Sequence, residues 1–169
     1  VQDDLAPDGL GLLVYDAYRP RRATLGMVAW AQRSDRVDVL DDGYVARRSG
    51  HNRGNTIDLT LVDARTGNAL EMGTPWDTFS TDSHPQNATG IALENRRRLA
   101  AVMKARGWQP YAKEWWHFSF PMTPTPRERD VPYGCFEPDE GSWQAPDGWD
   151  AAGWVAPTQW PSPAQAPCE

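Results

Sequence analysis

The sequence predicts a single α+β domain followed by an irregular tail. Three observations carry this expectation. Strand-like and helix-like stretches are mixed without a regular βαβ alternation. The 169 residues suit one domain with a real core. From Glu137 onward the composition changes, with six prolines and four tryptophans in the last 33 residues.

Gly9–Tyr18 (GLGLLVYDAY) is a short, mainly apolar run after Pro7-Asp8 and reads as a buried strand. Pro20 suits the first turn of a helix, and Ala23, Met27, Trp30 and Ala31 recur at helical spacing, which predicts an amphipathic helix over Pro20–Gln32. Arg33–Gly43 is polar and reads as a loop. Across Thr56–Val62, Ile57, Leu59 and Leu61 point to one face while Thr56, Asp58 and Thr60 point to the other, the period of a strand. Ala64–Gly67 reads as a turn into another short strand. Met72–Gly90 is rich in turn formers with Trp76 and Phe79 embedded, a long loop of the kind that often carries function. Leu93–Arg106 is predicted helical, with an apolar stripe of Leu99, Val102 and Met103 and Gly107 as its stop. Tyr111–Phe120 (YAKEWWHFSF) is aromatic and strand-like. In the tail, Pro and Gly oppose long regular elements while the tryptophans favour burial, so it reads as an extended strip over the domain.

Composition excludes some functions. A net charge of -6 opposes nucleic acid or an anionic membrane as partner, because both reward concentrated positive charge. The one sharp basic cluster, Arg96-Arg97-Arg98, reads as the solvated face of a helix. No apolar run approaches the roughly 20 residues that span a bilayer. Val1–Leu5 has neither the charged start nor the apolar stretch of a signal peptide and no initiator Met, so the sequence reads as part of a longer precursor and says nothing of export. Cys135 and Cys168 lie too far apart for a zinc site built on close pairs. Their better functional reading is a disulfide, with an oxidising, secreted or periplasmic location; if both are free thiols, a cytoplasmic location follows.

Three segments carry chemistry. In Ser49-Gly50-His51-Asn52-Arg53-Gly54-Asn55-Thr56-Ile57-Asp58, a His precedes by seven residues an Asp on the polar face of a strand. Burying that carboxylate costs several kcal/mol unless a cation or hydrogen bonds compensate. A divalent metal shared with His51 would do so, and Gly54 lets the loop fold back. In Glu114-Trp115-Trp116-His117, a third ligand and a free carboxylate stand three residues apart. On a regular strand they would point to opposite faces, so one shared site requires a bend between them. The tryptophans would then shield the site from water. In Tyr15-Asp16-Ala17-Tyr18-Arg19-Pro20, an Arg at a strand–helix junction is either a structural partner of Asp16 or a fixed cation for an oxyanion.

In order and spacing these segments, with GYVA at Gly43–Ala46, NRRRL at Asn95–Leu99 and EWWHF at Glu114–Phe118, resemble the VanX-type D-Ala-D-Ala dipeptidases. That family belongs to a wider group of zinc peptidases sharing the hedgehog and D-Ala-D-Ala carboxypeptidase fold. The resemblance runs from about Gly9 to Phe136. It implies a zinc dipeptidase domain over residues 1–136, truncated at its N-terminus relative to the family, with a mostly antiparallel central sheet flanked by helices. Residues 137–169 fall outside it as the Trp/Pro-rich tail. The resemblance further implies one Zn²⁺ held by His51, Asp58 and His117, with the fourth position open to water. Glu114 then corresponds to the acid/base, Arg19 to the cation that stabilises the tetrahedral intermediate, Ser49 to a contact of the substrate carboxylate and Asp77 to a contact of its ammonium group. The implied partner is a small dipeptide. Two other functions are compatible with the segments: a peptidoglycan carboxypeptidase or endopeptidase of the same fold, and a zinc-binding recognition domain without activity.

Overall fold

The computed structural model describes residues 1–133. Val1–Asp130 form the first compact unit of the chain. The tail reading and the Cys135–Cys168 pairing lie outside the described residues.

The first unit opens with a single turn of helix, α1 (Gln2–Leu5), and a 3₁₀ turn (Ala6–Asp8). These lead into β1 (Leu10–Asp16), helix α2 (Arg21–Arg33) and a short helix α3 (Asp38–Asp41). After a second 3₁₀ turn (Gly50–Arg53) come β2 (Thr56–Asp63), a third 3₁₀ turn (Thr81–Ser83) and helix α4 (Gly90–Ala105). Strands β3 (Gln109–Pro110) and β4 (His117–Ser119) complete it. The sheet runs β1-β2-β4-β3, and every pairing is antiparallel.

The alternation in β2 organises the core. Leu59 and Leu61 are fully buried with Phe118 of β4, and α4 covers this face with Leu99 and Met103. Each such aliphatic side chain contributes about 1.5–3 kcal/mol by leaving water. A second cluster, Ala31, Val39, Leu40 and Val45, joins α2, α3 and the following loop, with Met27, Tyr44 and Phe79 packed against it. The other face of β2 is polar yet also buried, since Asp58 and Thr60 are nearly inaccessible. That face belongs to the site.

Register places the chemistry. Val14 pairs with Leu59, but the next pair is Asp16 with Asp58, so Tyr15 is an extra residue in β1. This bulge, a device that re-aims a strand, sets Asp16 rather than Tyr15 opposite Asp58. On the other side of β2, Asp58 pairs with His117. One transverse row of the sheet therefore reads Asp16, Asp58, His117.

Several expectations need correction. Arg33–Gly43 is not simply a loop: it holds α3, because Val39 and Leu40 can be buried against Ala31. Trp30 is 41% exposed. The buried residues of α2 are instead Thr24, whose Oγ1 accepts from Asn52 Nδ2 at 2.9 Å, and Ala31, packed in the second cluster. After the turn at Ala64–Gly67, the expected short strand reduces to one bridge between Val62 and Ala69. Helix α4 begins at Gly90, three residues before the expected start. Tyr111–Phe120 is a strand only from His117 to Ser119.

The largest correction is Arg96. It is 2% exposed, not solvated. Its guanidinium donates to Met72 O (2.6 Å), Asp82 O (2.9 Å) and His84 O (2.8 Å) and lies 5.8 Å from the centre of the Trp115 ring. The loop Met72–His84 is folded around it.

Candidate active site

The polar face of β2 opens into a cleft of about 190 Å³ whose walls include Arg19, Ser49, His51, Asp58, Asp77, Glu114 and His117. All seven side chains singled out in the sequence thus meet at one cleft, from five separate segments.

His51 sits in the 3₁₀ turn Gly50–Arg53, which Ser49 and Asn52 cap reciprocally. Two glycines make this turn possible. Gly54 closes it in the left-handed region (φ 72°), as the sequence suggested. At Gly50 a Cβ would come within 2.1 Å of Thr56 Oγ1, so the turn can approach β2 only without a side chain. The residues after the β1 bulge then lock the turn. Arg19 N donates to His51 O (3.1 Å), and Asn52 Nδ2 donates to Arg19 O (2.8 Å). His51 Nδ1 lies 2.7 Å from Ala17 O. A carbonyl only accepts, so Nδ1 carries the proton and Nε2 presents its lone pair to the cleft.

Asp58 lies opposite that lone pair. Its Oδ1 is 3.3 Å from His51 Nε2 and 3.0 Å from His117 Nδ1, while Trp76 Nε1 donates to its Oδ2 at 3.4 Å. The imidazole rings stand edge to face, 5.1 Å apart. The chain bends as the shared site requires: between β3 and β4 it is irregular, and His117 N donates to Glu114 O at 3.4 Å. Glu114 Oε2 comes within 3.4 Å of His117 Nδ1. The expected shield is different, however. Trp115 and Trp116 turn into the core, and the aromatic side chains lining the cleft are Tyr44, Phe79 and Tyr111.

Arg19 is held by Asp16. Its Nε donates to Asp16 Oδ2 at 2.7 Å, and Nη2 also reaches that oxygen. Among the described residues, Nη1 meets only Met27 Sδ (3.1 Å), a weak acceptor that is easily replaced. Ser49 Oγ accepts from His51 N (3.2 Å), which leaves its own hydrogen to donate. Asp77 adopts φ 57°, a left-handed backbone uncommon outside glycine.

The electrostatics of the cleft favour a cation. Burial pushes the Asp58 carboxyl up, but the His117 and His51 imidazoles outweigh it and hold that group well below the usual carboxylate range. Burial, then the charges of Asp58 and Asp77, push Glu114 up to about 9 against the opposing pull of Arg19. Burial and then Asp58 push Asp77 up to about 6, again opposed by Arg19. Three carboxyls crowd one pocket, and a cation among them would lower the cost of ionising each.

The residues fit a metal ion. One ligand atom from each of His51, Asp58 and His117 lies within 4.8 Å of the others. Asp58 Oδ1, though buried, makes no hydrogen bond of acceptable geometry. Such an orphan costs free energy unless something occupies the common point. Two imidazoles and a carboxylate suit a first-row divalent ion.

Comparison with known proteins agrees with this architecture. The D-ala-D-ala dipeptidase family matches residues 2–137, and the chain belongs to that family. Relatives named D-alanyl-D-alanine dipeptidase include one from Enterococcus faecium, 38% identical over 76% of this chain and 67% of its own length. Another, from Streptomyces coelicolor, is 38% identical over 70% and 66%. A third, from Escherichia coli K12, is 37% identical over 76% and 64%. The chain spans about two thirds of the length of these relatives.

Residues outside the seven candidates complete the site. Asp16 orients Arg19, Trp76 orients Asp58, and Tyr44 and Tyr111 form the cleft wall. The YDAYRP segment did hint at Asp16 through its three-residue distance from Arg19. Trp76 stands in the loop that reads as functional, Tyr44 in the GYVA segment and Tyr111 in the aromatic run, but the sequence gives none of them a role.

Proposed function

We propose that this chain hydrolyses the peptide bond of D-alanyl-D-alanine with one Zn²⁺ held by His51, Asp58 and His117. The observation that carries the reading is the convergence of those three side chains on one buried point with an unliganded carboxylate, Glu114, alongside. Zinc in such a site acts as a Lewis acid and makes water acidic enough to attack near neutral pH.

The side chains divide the remaining work. Glu114 takes a proton from the attacking water and returns it to the departing amine, with its buried position excluding bulk water as competitor. Arg19, fixed by Asp16, exchanges its weak contact with Met27 Sδ for the oxyanion that develops on the scissile carbonyl. Ser49 donates its hydroxyl hydrogen to the substrate carboxylate, and Asp77 faces the substrate ammonium. A zwitterion held at both ends would place its single peptide bond between Glu114 and Arg19.

Free D-Ala-D-Ala assayed beside a stem pentapeptide tests the reading. Release of D-alanine from the dipeptide, abolished by a chelator and restored by zinc, is expected. Turnover of the pentapeptide alone would replace it with a carboxypeptidase.

A further inference from the structure

At the edge of the cleft, one carboxylate serves three guanidiniums. Glu128 Oε2 is 2.9 Å from Arg21 Nη1, while Glu128 Oε1 is 3.1 Å from Arg48 Nε and 3.9 Å from Arg53 Nη2. Two carboxylates, Glu128 and Asp130, face four guanidiniums, Arg21, Arg22, Arg48 and Arg53, so a surplus of positive charge stands here on a chain whose net charge is -6. The arrangement is built rather than incidental. Arg129 N donates to Asn52 O (2.8 Å) and Arg21 N donates to Arg129 O (3.0 Å), which ties the Glu128 segment to the turn that carries His51.

Of these four arginines only Arg48 lines the cleft, and it directly precedes Ser49. Its side chain is 74% exposed and is held through Nε. Among the described residues, its two terminal nitrogens have no hydrogen-bond partner. Arg19, the other arginine of the cleft, is committed to Asp16 through two nitrogens. The acidic lining is Asp58, Asp77 and Glu114, which repels an anionic group. An anion entering the cleft is therefore best met at the Arg48–Ser49 step.

We infer that Arg48 is a specificity-determining residue that draws the free α-carboxylate of the substrate to the Ser49 end of the cleft. Glu128 holds the guanidinium by one nitrogen, and the open terminal nitrogens form the two-pronged contact that suits a carboxylate. The cleft then sorts substrates by charge at both ends, ammonium toward Asp77 and carboxylate toward Arg48. A peptide whose C-terminus is amidated loses this contact. The inference rests on the dipeptidase reading and deepens it.

Steady-state kinetics of Arg48→Gln on D-Ala-D-Ala and on its C-terminal amide test it. For the free acid, KM is expected to rise about fivefold with kcat and Tm unchanged, the scale of one exposed ionic contact. For the amide, KM is expected to match that of the wild type. Arg48→Lys, which keeps the charge but not the two-pronged geometry, should recover only part of the loss. An equal change for acid and amide, or no change for either, would overturn the role of Arg48 while leaving the dipeptidase reading intact. Wild-type protein that hydrolyses neither compound would overturn both.

Discussion

Glu114→Gln is expected to bind metal as the wild type does and to hydrolyse D-Ala-D-Ala about a thousandfold more slowly. The substitution keeps the size of a buried side chain and removes its ability to take a proton. Positioned general acid–base groups contribute about 10²–10⁴ in rate. The metal cluster is left in place, because Glu114 approaches His117 at 3.4 Å without being one of the three clustered ligands. Metal content by elemental analysis and kcat on the same preparation give the two readouts. Activity within about tenfold of wild type would remove Glu114 from the mechanism.

Arg96→Met is expected to be strongly destabilising. The guanidinium, itself 2% exposed, satisfies the carbonyls of Met72, Asp82 and His84. A thioether satisfies none of them. At about 1 kcal/mol or more for each abandoned carbonyl, the loss is about 3 kcal/mol. That corresponds to roughly 10 °C in Tm for a domain of this size. The consequence reaches the site, since the same loop carries Trp76, which orients Asp58, and Asp77. Trp115, next to Glu114, is tied to the loop as well, through N to Ser83 O (3.0 Å) and Nε1 to Thr74 Oγ1 (2.9 Å). Thermal unfolding followed by circular dichroism measures the effect. An unchanged Tm would mean that the loop folds without its central cation.

Arg96 also shows where sequence reasoning stops. Three consecutive arginines on a helix look solvated, and nothing local distinguishes the one that points inward. Only the bare carbonyls of a distant loop decide it. Short apolar pairs mislead for the same reason: Val39-Leu40 sits in a charged stretch, and its burial depends on Ala31 and Val45. Trp30, by contrast, has the right helical spacing and the wrong neighbours. Where the pattern itself is the cause, the sequence was sufficient. The alternation in Thr56–Val62 predicts a strand with one apolar face, and that strand is central to the sheet. If His51, Asp58, Glu114 and His117 share one site, the seven-residue and three-residue intervals require a folded-back loop and a bend, and both are present. The β1 bulge left no such trace, because an inserted residue has no signature in an apolar run. Its effect, setting Asp16 across from Asp58, emerges only from pairing.

The central claim is one metal ion shared by His51, Asp58 and His117. Anomalous diffraction at the zinc edge from crystals grown with Zn²⁺ addresses it most directly. The account predicts a single strong peak bonded to His51 Nε2, Asp58 Oδ1 and His117 Nδ1, with Glu114 close by but not coordinated. A peak elsewhere on the chain with this cluster empty, or coordination that includes Glu114 in place of Asp58, would contradict it.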